Sequence, residues 1–310
     1  MISVVIVNWN SGPLLERCVL SLVKHAADVE IVVVDNASFD SSLNFAARSQ
    51  VPIAILRNEE NLGFAAANNL GWRKSRGEKI LFLNPDTECR SGAVNALAHS
   101  MLEDSKIWAA GGKLLSSSGQ LQQGFNVRAF PTLGSVAADM FLLDELWPGN
   151  PWTRHYRMSG WDQSSACEVD QPAAACLMVR RKVLERLNGF DENFLPAWFE
   201  DVDLCRRIHD NGGRILFEPA SEFQHQGGSS LKHLAREEFL RYFHTNQLRY
   251  FHKHHGQDAA RRVQGLIIAG MYLRAALSCV HPLFAGATRS ESARTFWRTA
   301  RHFQKLTIDD

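Results

Sequence analysis

The sequence predicts an α/β fold of three layers, with helices on both faces of a mixed, mostly parallel sheet and a helical extension at the C-terminal end. Two observations carry this. Short strand-like runs, mostly apolar, at 3–7, 30–34, 53–57 and 80–83 alternate with segments of helical spacing, the pattern of right-handed βαβ units whose sheet is covered on both faces. Beyond about residue 230 the strand-like runs stop and helical spacing takes over, as in Leu240, Phe243 and Phe251. With 310 residues, 45% apolar and 22% charged, the chain can bury one large core and still carry an appendage. The expected boundaries are a domain over 1–230, made of halves 1–112 and 113–230, and an extension over 231–310.

The elements follow in order. Run 3–7 closes on Asn8-Trp9-Asn10-Ser11-Gly12, and Leu14, Leu15, Cys18 and Leu22 then repeat at helical spacing. Run 30–34 ends in Asp35-Asn36-Ala37-Ser38, with a helix expected from about 41 to 49. Run 53–57 leads into Asn58-Glu59-Glu60-Asn61-Leu62-Gly63-Phe64 and a small-residue helix over 65–74. Run 80–83 must stop at Pro85, which cannot donate to a sheet ladder, so Asn84, Asp86 and Glu88 fall just past a central strand. A helix over 92–102 and a strand over 107–112 come next. The stretch 119–172 has few regular patterns and gathers aromatic residues between Trp147 and Trp161; it reads either as a binding loop or as a loop folded on its own apolar residues. An apolar run over 172–180 precedes a helix over 181–187, stopped by Asn188-Gly189. Val202, Leu204, Cys205 and Ile208 then mark a helix over 201–210, closed by Asn211-Gly212-Gly213. A strand over 214–217 is expected to end at Glu218-Pro219, leaving His225 in a following loop.

Composition excludes several classes. No GxGxxG and no GxxxxGK[ST] stands at a strand end, which argues against a dinucleotide enzyme or a P-loop ATPase. The six cysteines are scattered without a CxxC pair, and Met1 leads directly into a strand; both point to a reduced, cytoplasmic protein without a signal segment. The net charge of +1 conceals a basic tail, since residues 232–310 hold 13 Lys plus Arg against 6 Asp plus Glu, and seven of the twelve histidines. Such a tail suits an anionic membrane surface, aromatic residues being interleaved with the cations. No nucleic-acid motif accompanies it. Packing on the domain or on a second copy is the other reading. The segment 265–283 is interrupted by Arg274 and His281, so it is not expected to span a membrane.

Parallel strands bring their carboxyl ends to one edge, where open α/β sheets hold ligands. Asn8 and Asn10, Asp35, Asn58 and Asn61, and Asn84 with Asp86 would meet there, a set that suits a nucleotide. Asp35 fits a ribose hydroxyl or a base imide, or else caps a helix. Asp86 fits a hard divalent cation bridging a substrate diphosphate, or else makes a turn. A neutral His225 folding over the crevice would join it, unless it is an ordinary loop histidine. Further on, Glu200, Asp201 and Asp203 place three carboxylates within four positions after Trp198-Phe199. They either complement a helix dipole, worth about 0.3–1 kcal/mol, or raise one another's pKa as a general base requires.

The combination SVVIVNWN, VVVDNASFD, NEENLGFAAANN, ILFLNPDTE, GFDENF and FEDVDLC, in this order over roughly residues 1–230, resembles the family 2 glycosyltransferases of the nucleotide-diphospho-sugar transferase fold. Within them it looks like the bacterial rhamnosyltransferase branch that builds cell-surface polysaccharides. The resemblance implies a metal-dependent, inverting transfer from a nucleotide-diphospho-sugar, by branch dTDP-rhamnose, to a hydroxyl of a polysaccharide or lipid-linked acceptor; the basic tail would dock the enzyme at the cytoplasmic leaflet, where a lipid-diphosphate acceptor is presented. It gives Asp35 and Asn8 to the donor pocket, to which the convergence of strand ends adds Asn61. Asn84 and Asp86 stand at the acids of the DxD motif, Asp86 and His225 on Mg²⁺ or Mn²⁺, and Asp201, with Glu200 beside it, as catalytic base. Asn84 and Pro85 depart from the DxD pattern, and metal affinity should fall accordingly. A nucleotidyltransferase or a non-catalytic nucleotide-sugar-binding protein would share the first half without needing the acids at 200–203.

Overall fold

In the computed structural model the described residues are 1–26, 28–46, 52–102, 104–227, 234–280 and 289–307. They form, in chain order, β1 (Ile2–Asn8), α1 (Leu14–His25), β2 (Val29–Asp35), β3 (Ile53–Arg57), α2 (Gly63–Lys74), β4 (Lys79–Leu83), β5 (Thr87–Cys89), α3 (Ala93–Ser100), β6 (Ile107–Leu115) and β7 (Val127–Arg128). Then come α4 (Leu133–Met140), α5 (Leu143–Leu146), α6 (Pro151–Tyr156), β8 (Cys167–Glu168), β9 (Gln171–Pro172), β10 (Cys176–Arg180), α7 (Arg181–Leu187), α8 (Glu200–Asp210), β11 (Arg214–His225), α9 (Arg236–His255), α10 (Gln257–Val280) and α11 (Arg289–Lys305). Contacts gather these into two units, Met1–Phe130 with Trp161–Lys232, and Pro131–Gly160 with His233–Asp310.

The first unit is built on one sheet of order β3-β2-β1-β4-β10-β6-β11-β5, with β8 added along β11. β1 to β4 are mutually parallel. β10 runs antiparallel to both β4 and β6, and β11 is parallel to β6. The sheet is therefore mixed and mostly parallel, as the sequence predicts. Its geometry brings the carboxyl ends of β1, β2, β3, β4, β6 and β11 to one edge, together with the amino end of β10. Val4, Val5 and Ile6 on β1 are fully buried, which a run covered on both faces requires. α1 covers one face through Leu15, Cys18, Val19 and Leu22, one stripe at helical spacing. α2 covers β1 through Gly71, where a Cβ would lie 2.3 Å from Val5 Cγ1; only a residue without a side chain permits that approach.

Three segments differ from the sequence reading. Residues 41–46 form turns rather than a helix, with Asp40 Oδ1 accepting from the Ser42 N–H at 3.0 Å and from its hydroxyl; 47–49 lie outside the described residues. β11 does not stop before Pro219. It continues to His225, while residues 219–221 have no partner on β6 between the pairs Glu218↔Gly112 and Glu222↔Lys113. Proline is tolerated because it sits in this bulge, where no ladder N–H is needed. His225 is thus the last residue of a central strand, opposite Thr87 of β5. The irregular stretch contributes β7 and β9, a two-stranded pair in the first unit, and α4, α5 and α6 in the second.

In the second unit α10 packs against α9, α11 and α4. Arg274, the charge that interrupts its apolar run, donates to the carbonyls of Met140 at 2.5 Å and Asp139 at 2.6 Å and so satisfies the open C-terminus of α4. No helix among the described residues is long and apolar enough to cross a membrane.

Candidate active site

Asn8 and Asp35 end β1 and β2 side by side in register. The amide of Asn8 donates to Asp35 Oδ1 at 2.8 Å and to the hydroxyls of Ser42 at 2.8 Å and Ser38 at 3.0 Å, and its Oδ1 accepts from Ser11 at 2.7 Å. Fully buried and saturated, Asn8 orients Asp35 rather than presenting its own groups. The open donor is Asn10. Its Oδ1 accepts from the Phe39 N–H at 2.9 Å, while its buried Nδ2 has no protein partner, an arrangement that costs free energy unless a ligand completes it. Asn61 belongs to a different cluster. Its Oδ1 accepts from Gly63 N and from Asn36 Nδ2, and Asn36 Oδ1 accepts from Asn58 and Leu62 N. These asparagines fix the start of α2.

At the tip of β4, Asp86 is 6% exposed and faces His225, with 3.4 Å between Oδ1 and Nε2. The other ring nitrogen of His225 is held by Gln122, from the stretch without regular patterns. Gln122 donates through Nε2 to the carbonyl of His225 at 2.9 Å and turns Oε1 to His225 Nδ1 at 2.8 Å. A carbonyl only accepts, so the amide orientation is fixed, and Nδ1 must be the donor. Nε2 is then the edge turned toward Asp86. Phe125 stacks on the imidazole at 5.2 Å and an interplanar angle of 10°. Two ligand atoms in adjacent positions on an octahedral cation lie about 3 Å apart, given metal–oxygen distances of about 2.0–2.1 Å, so the Asp86–His225 pair fits such an ion. Among the described residues no cluster of three or more metal-ligating side chains exists; a cation here would take its remaining ligands from water and from the oxygens of a diphosphate, the usual habit of Mg²⁺. Asn84 is half-buried.

The carboxylates of α8 have three distinct environments. Asp203, fully buried, pairs with Arg207 Nε at 2.7 Å, and the same guanidinium donates to the carbonyls of Leu187 and Gly189. It is structural. Glu200 is 5% exposed with Oε2 lacking a partner; burial first, then Asp201 and Asp203, pushes its carboxyl well above the usual range. The raised pKa thus falls on the buried acid. Asp201 is the half-exposed one. Its Oδ1 accepts from Val202 N at 2.8 Å, in the first turn of the helix, while its Oδ2 reaches across to accept from Ala174 N at 3.1 Å in the segment leading to β10. The two preceding residues, Trp198 and Phe199, hold φ of +77° and +71°, a conformation that costs large side chains about 1–3 kcal/mol and concentrates at functional sites.

The backbone joins these parts. Asn84 N donates to Ala175 O at 3.2 Å, so the β4 tip that carries Asp86 and the segment that holds Asp201 share adjacent alanines. Asn69 of α2 does the same for the motifs around Gly63 and Phe190, donating to Phe190 O at 2.8 Å and accepting from Phe190 N at 2.9 Å. The structure therefore brings together Asn8 with Asp35, Asp86 with His225, and Asp201 with Glu200, while Asn61 serves the loop before α2.

The model of the family described as glycosyl transferase family 2 matches residues 3–187. In Mycobacterium tuberculosis an N-acetylglucosaminyl-diphospho-decaprenol L-rhamnosyltransferase is 29% identical over 244 residues, covering 74% of this chain and 77% of its own. The rhamnosyltransferase WbbL of Escherichia coli K12 is 28% identical over 166 residues, 51% of this chain and 58% of that protein. Among solved structures, the mannosyltransferase PcManGT from Pyrobaculum calidifontis, in complex with GDP-Man and Mn²⁺, shares the fold with a TM-score of 0.57 at 15% identity, over 98% of this chain and 84% of that one. GalNAc-T7 with UDP, GalNAc and Mn²⁺ superposes with a TM-score of 0.58 at 15% identity, over 97% of this chain and 55% of that one. The fold is thus shared with proteins solved in complex with a nucleotide or nucleotide sugar, and since the family model spans more than half of the sequence, the chain is a glycosyltransferase of family 2.

Proposed function

We propose that this enzyme transfers L-rhamnose from dTDP-rhamnose to a hydroxyl of a lipid-diphosphate-linked glycan at the inner face of the membrane, with inversion at the anomeric carbon. The similarity to the two rhamnosyltransferases supports the sugar and, through the mycobacterial relative, the lipid-linked acceptor. The observation that carries the mechanism is Asp201, a half-exposed carboxylate tied by Ala174 to the backbone that meets the β4 tip.

Asp201 accepts the proton of the acceptor hydroxyl as its oxygen attacks the anomeric carbon; the bond from that carbon to the diphosphate oxygen breaks, and the diphosphate leaves with the electron pair. The transition state is oxocarbenium-like, as in glycoside hydrolysis. Glu200, kept neutral by burial, leaves Asp201 the accessible acid of the pair. Asp35, oriented by Asn8, accepts from a ribose hydroxyl or from the imide N–H of the base, and the unpartnered amide of Asn10 donates to an oxygen of the same nucleoside. Asp86 and His225 would hold a divalent cation, Mg²⁺ or Mn²⁺, which when bound neutralises charge building on the leaving diphosphate. Gln122 fixes the imidazole for that task.

The decisive test is Asp201→Asn. Transfer should fall by about 10²-fold or more, the range of general-base loss, while dTDP still binds in calorimetry. Near wild-type transfer would refute the base assignment.

A further inference from the structure

α11 has two unlike faces. Ser292, Phe296, Thr299, Ala300 and Phe303 are buried toward α9 and α10. The opposite face presents Arg294, Trp297, Arg298, Arg301 and Lys305, all exposed and recurring at intervals of three and four, so that they form one stripe with a single carboxylate, Glu291, at its start. Trp297 is 54% exposed. Its ring meets Tyr272 edge-on at 4.9 Å, and the Tyr272 hydroxyl donates to Gln304 at 2.9 Å. Arg298 lies 3.7 Å from Glu237, whereas Arg294, Arg301 and Lys305 have no carboxylate partner among the described residues.

A helix face that only has to stay in water is better served by mixed charges. Here Arg294 and Arg298, and Arg301 and Lys305, are like charges four residues apart, which repel. Nor does solvation call for a half-exposed indole in their midst. Both features make sense against a surface that is negatively charged and has an apolar layer just beneath. Cations are drawn to the headgroups, and Trp and Tyr settle at the level where an apolar ring and a polar tip are both satisfied.

We infer that the outer face of α11 is a docking surface for an anionic lipid bilayer, with Trp297 inserted at the headgroup level and Arg294, Arg298, Arg301 and Lys305 paired to lipid phosphates. This deepens the reading of a lipid-linked acceptor and rests on it. Binding is peripheral and reversible, and it falls with salt because the charges are exposed.

The test is co-sedimentation of the full chain with vesicles of phosphatidylglycerol and phosphatidylcholine against phosphatidylcholine alone. Wild-type protein should pellet with the anionic vesicles and not with the neutral ones, and release as NaCl rises toward 1 M. Each surface cation contributes roughly fivefold in affinity, so the triple variant Arg294→Gln, Arg298→Gln, Arg301→Gln should lose about a hundredfold. The triple variant Lys74→Gln, Lys106→Gln, Lys182→Gln, equal in net charge but outside the second unit, should lose little. Trp297→Ser should weaken binding, and the fluorescence change on adding anionic vesicles should disappear in Trp297→Phe. Equal binding to both vesicle types, no binding to either, equal losses in the two triple variants, or preference for a single-stranded oligonucleotide over the vesicles would each overturn the inference. Transfer to a short-chain, water-soluble acceptor separates the two readings: an α11 variant that keeps this transfer but loses vesicle binding leaves the proposed reaction standing, and absence of the transfer in wild-type protein that still binds vesicles refutes the reaction alone.

Discussion

A single glutamine decides which nitrogen His225 presents to Asp86. Because Gln122 grips both the carbonyl and the ring of the same residue, Gln122→Leu should leave the sheet intact and free the imidazole to rotate. Loss of such an outer partner lowers metal affinity by about 10–100-fold. Mn²⁺ titration followed by electron paramagnetic resonance should show that drop with no more than a small change in melting temperature, and unchanged affinity would remove Gln122 from the site. Glu200 gives a second residue-scale expectation. Its carboxyl is raised by burial, then by Asp201 and Asp203, so the folded state favours the neutral acid. The stability this confers is complete below the unfolded value near 4.5 and is lost as pH rises through the folded value. Glu200→Gln mimics the neutral acid at every pH, so its melting temperature relative to wild type should climb between pH 5 and 8. A pH-independent difference would show that Glu200 is ionised in the fold.

At the scale of elements, α8 is anchored by a buried ion pair. Asp203 has no exposure, and Arg207 is 17% exposed while bridging two carbonyls at the end of α7. Asp203→Ala leaves that guanidinium uncompensated, and such losses cost about 3 kcal/mol. Urea unfolding should report it, with dTDP affinity little changed; a cost below about 1 kcal/mol would mean that the pair is merely decorative. Elements also show what a sequence can and cannot disclose. β1, β2 and β4 were legible because buried parallel strands write themselves as unbroken apolar runs, and the ends of α7 and α8 because Asn188-Gly189 and Gly212 mark left-handed turns. β11 was cut short because Pro219 is a strand-breaking signal, and nothing local reveals that residues 219–221 bulge out of the ladder before pairing resumes. Gln122 was invisible for a related reason: it lies 103 residues from His225, in a segment without periodicity.

At the scale of the whole molecule, the net charge of +1 divides unevenly. The second unit holds 14 Lys plus Arg against 9 Asp plus Glu, leaving the first unit with 20 against 24. The second unit also contains the clearest acid-sensitive group. His244 is fully buried, its Nδ1 at 2.9 Å from Gln247 Oε1 and its ring edge-on to Phe303 at 6.0 Å. Burial, aided by Arg274, pulls its pKa down to about 4 against the partial support of Gln247. A histidine depressed in the fold resists protonation there and accepts it when unfolded, so stability is intact above about pH 6.5 and is lost progressively toward pH 4. Thermal melts from pH 7 to 4.5 should show this decline, and His244→Phe should flatten it whatever its own absolute stability; an unchanged slope would assign the acid sensitivity elsewhere. The polar edge of the sheet was legible in the sequence at this scale because strand ends of one direction must converge. The grouping of 131–160 with the C-terminal helices was not, since it depends on Arg274 closing α4 from 134 residues away.

The antiparallel insertion of β10 has a mechanical corollary. Ala175 O accepts from Asn84 N and Ala174 N donates to Asp201, so in the proposed mechanism two consecutive peptide units act as a fixed caliper between the leaving-group jaw and the acceptor jaw. Opening it wider would mean unzipping a central strand. Variants that accept bulkier sugars are therefore to be sought among substitutions lining the jaws, and a residue inserted between Ala174 and Cys176 should abolish turnover even when every reactive side chain is kept.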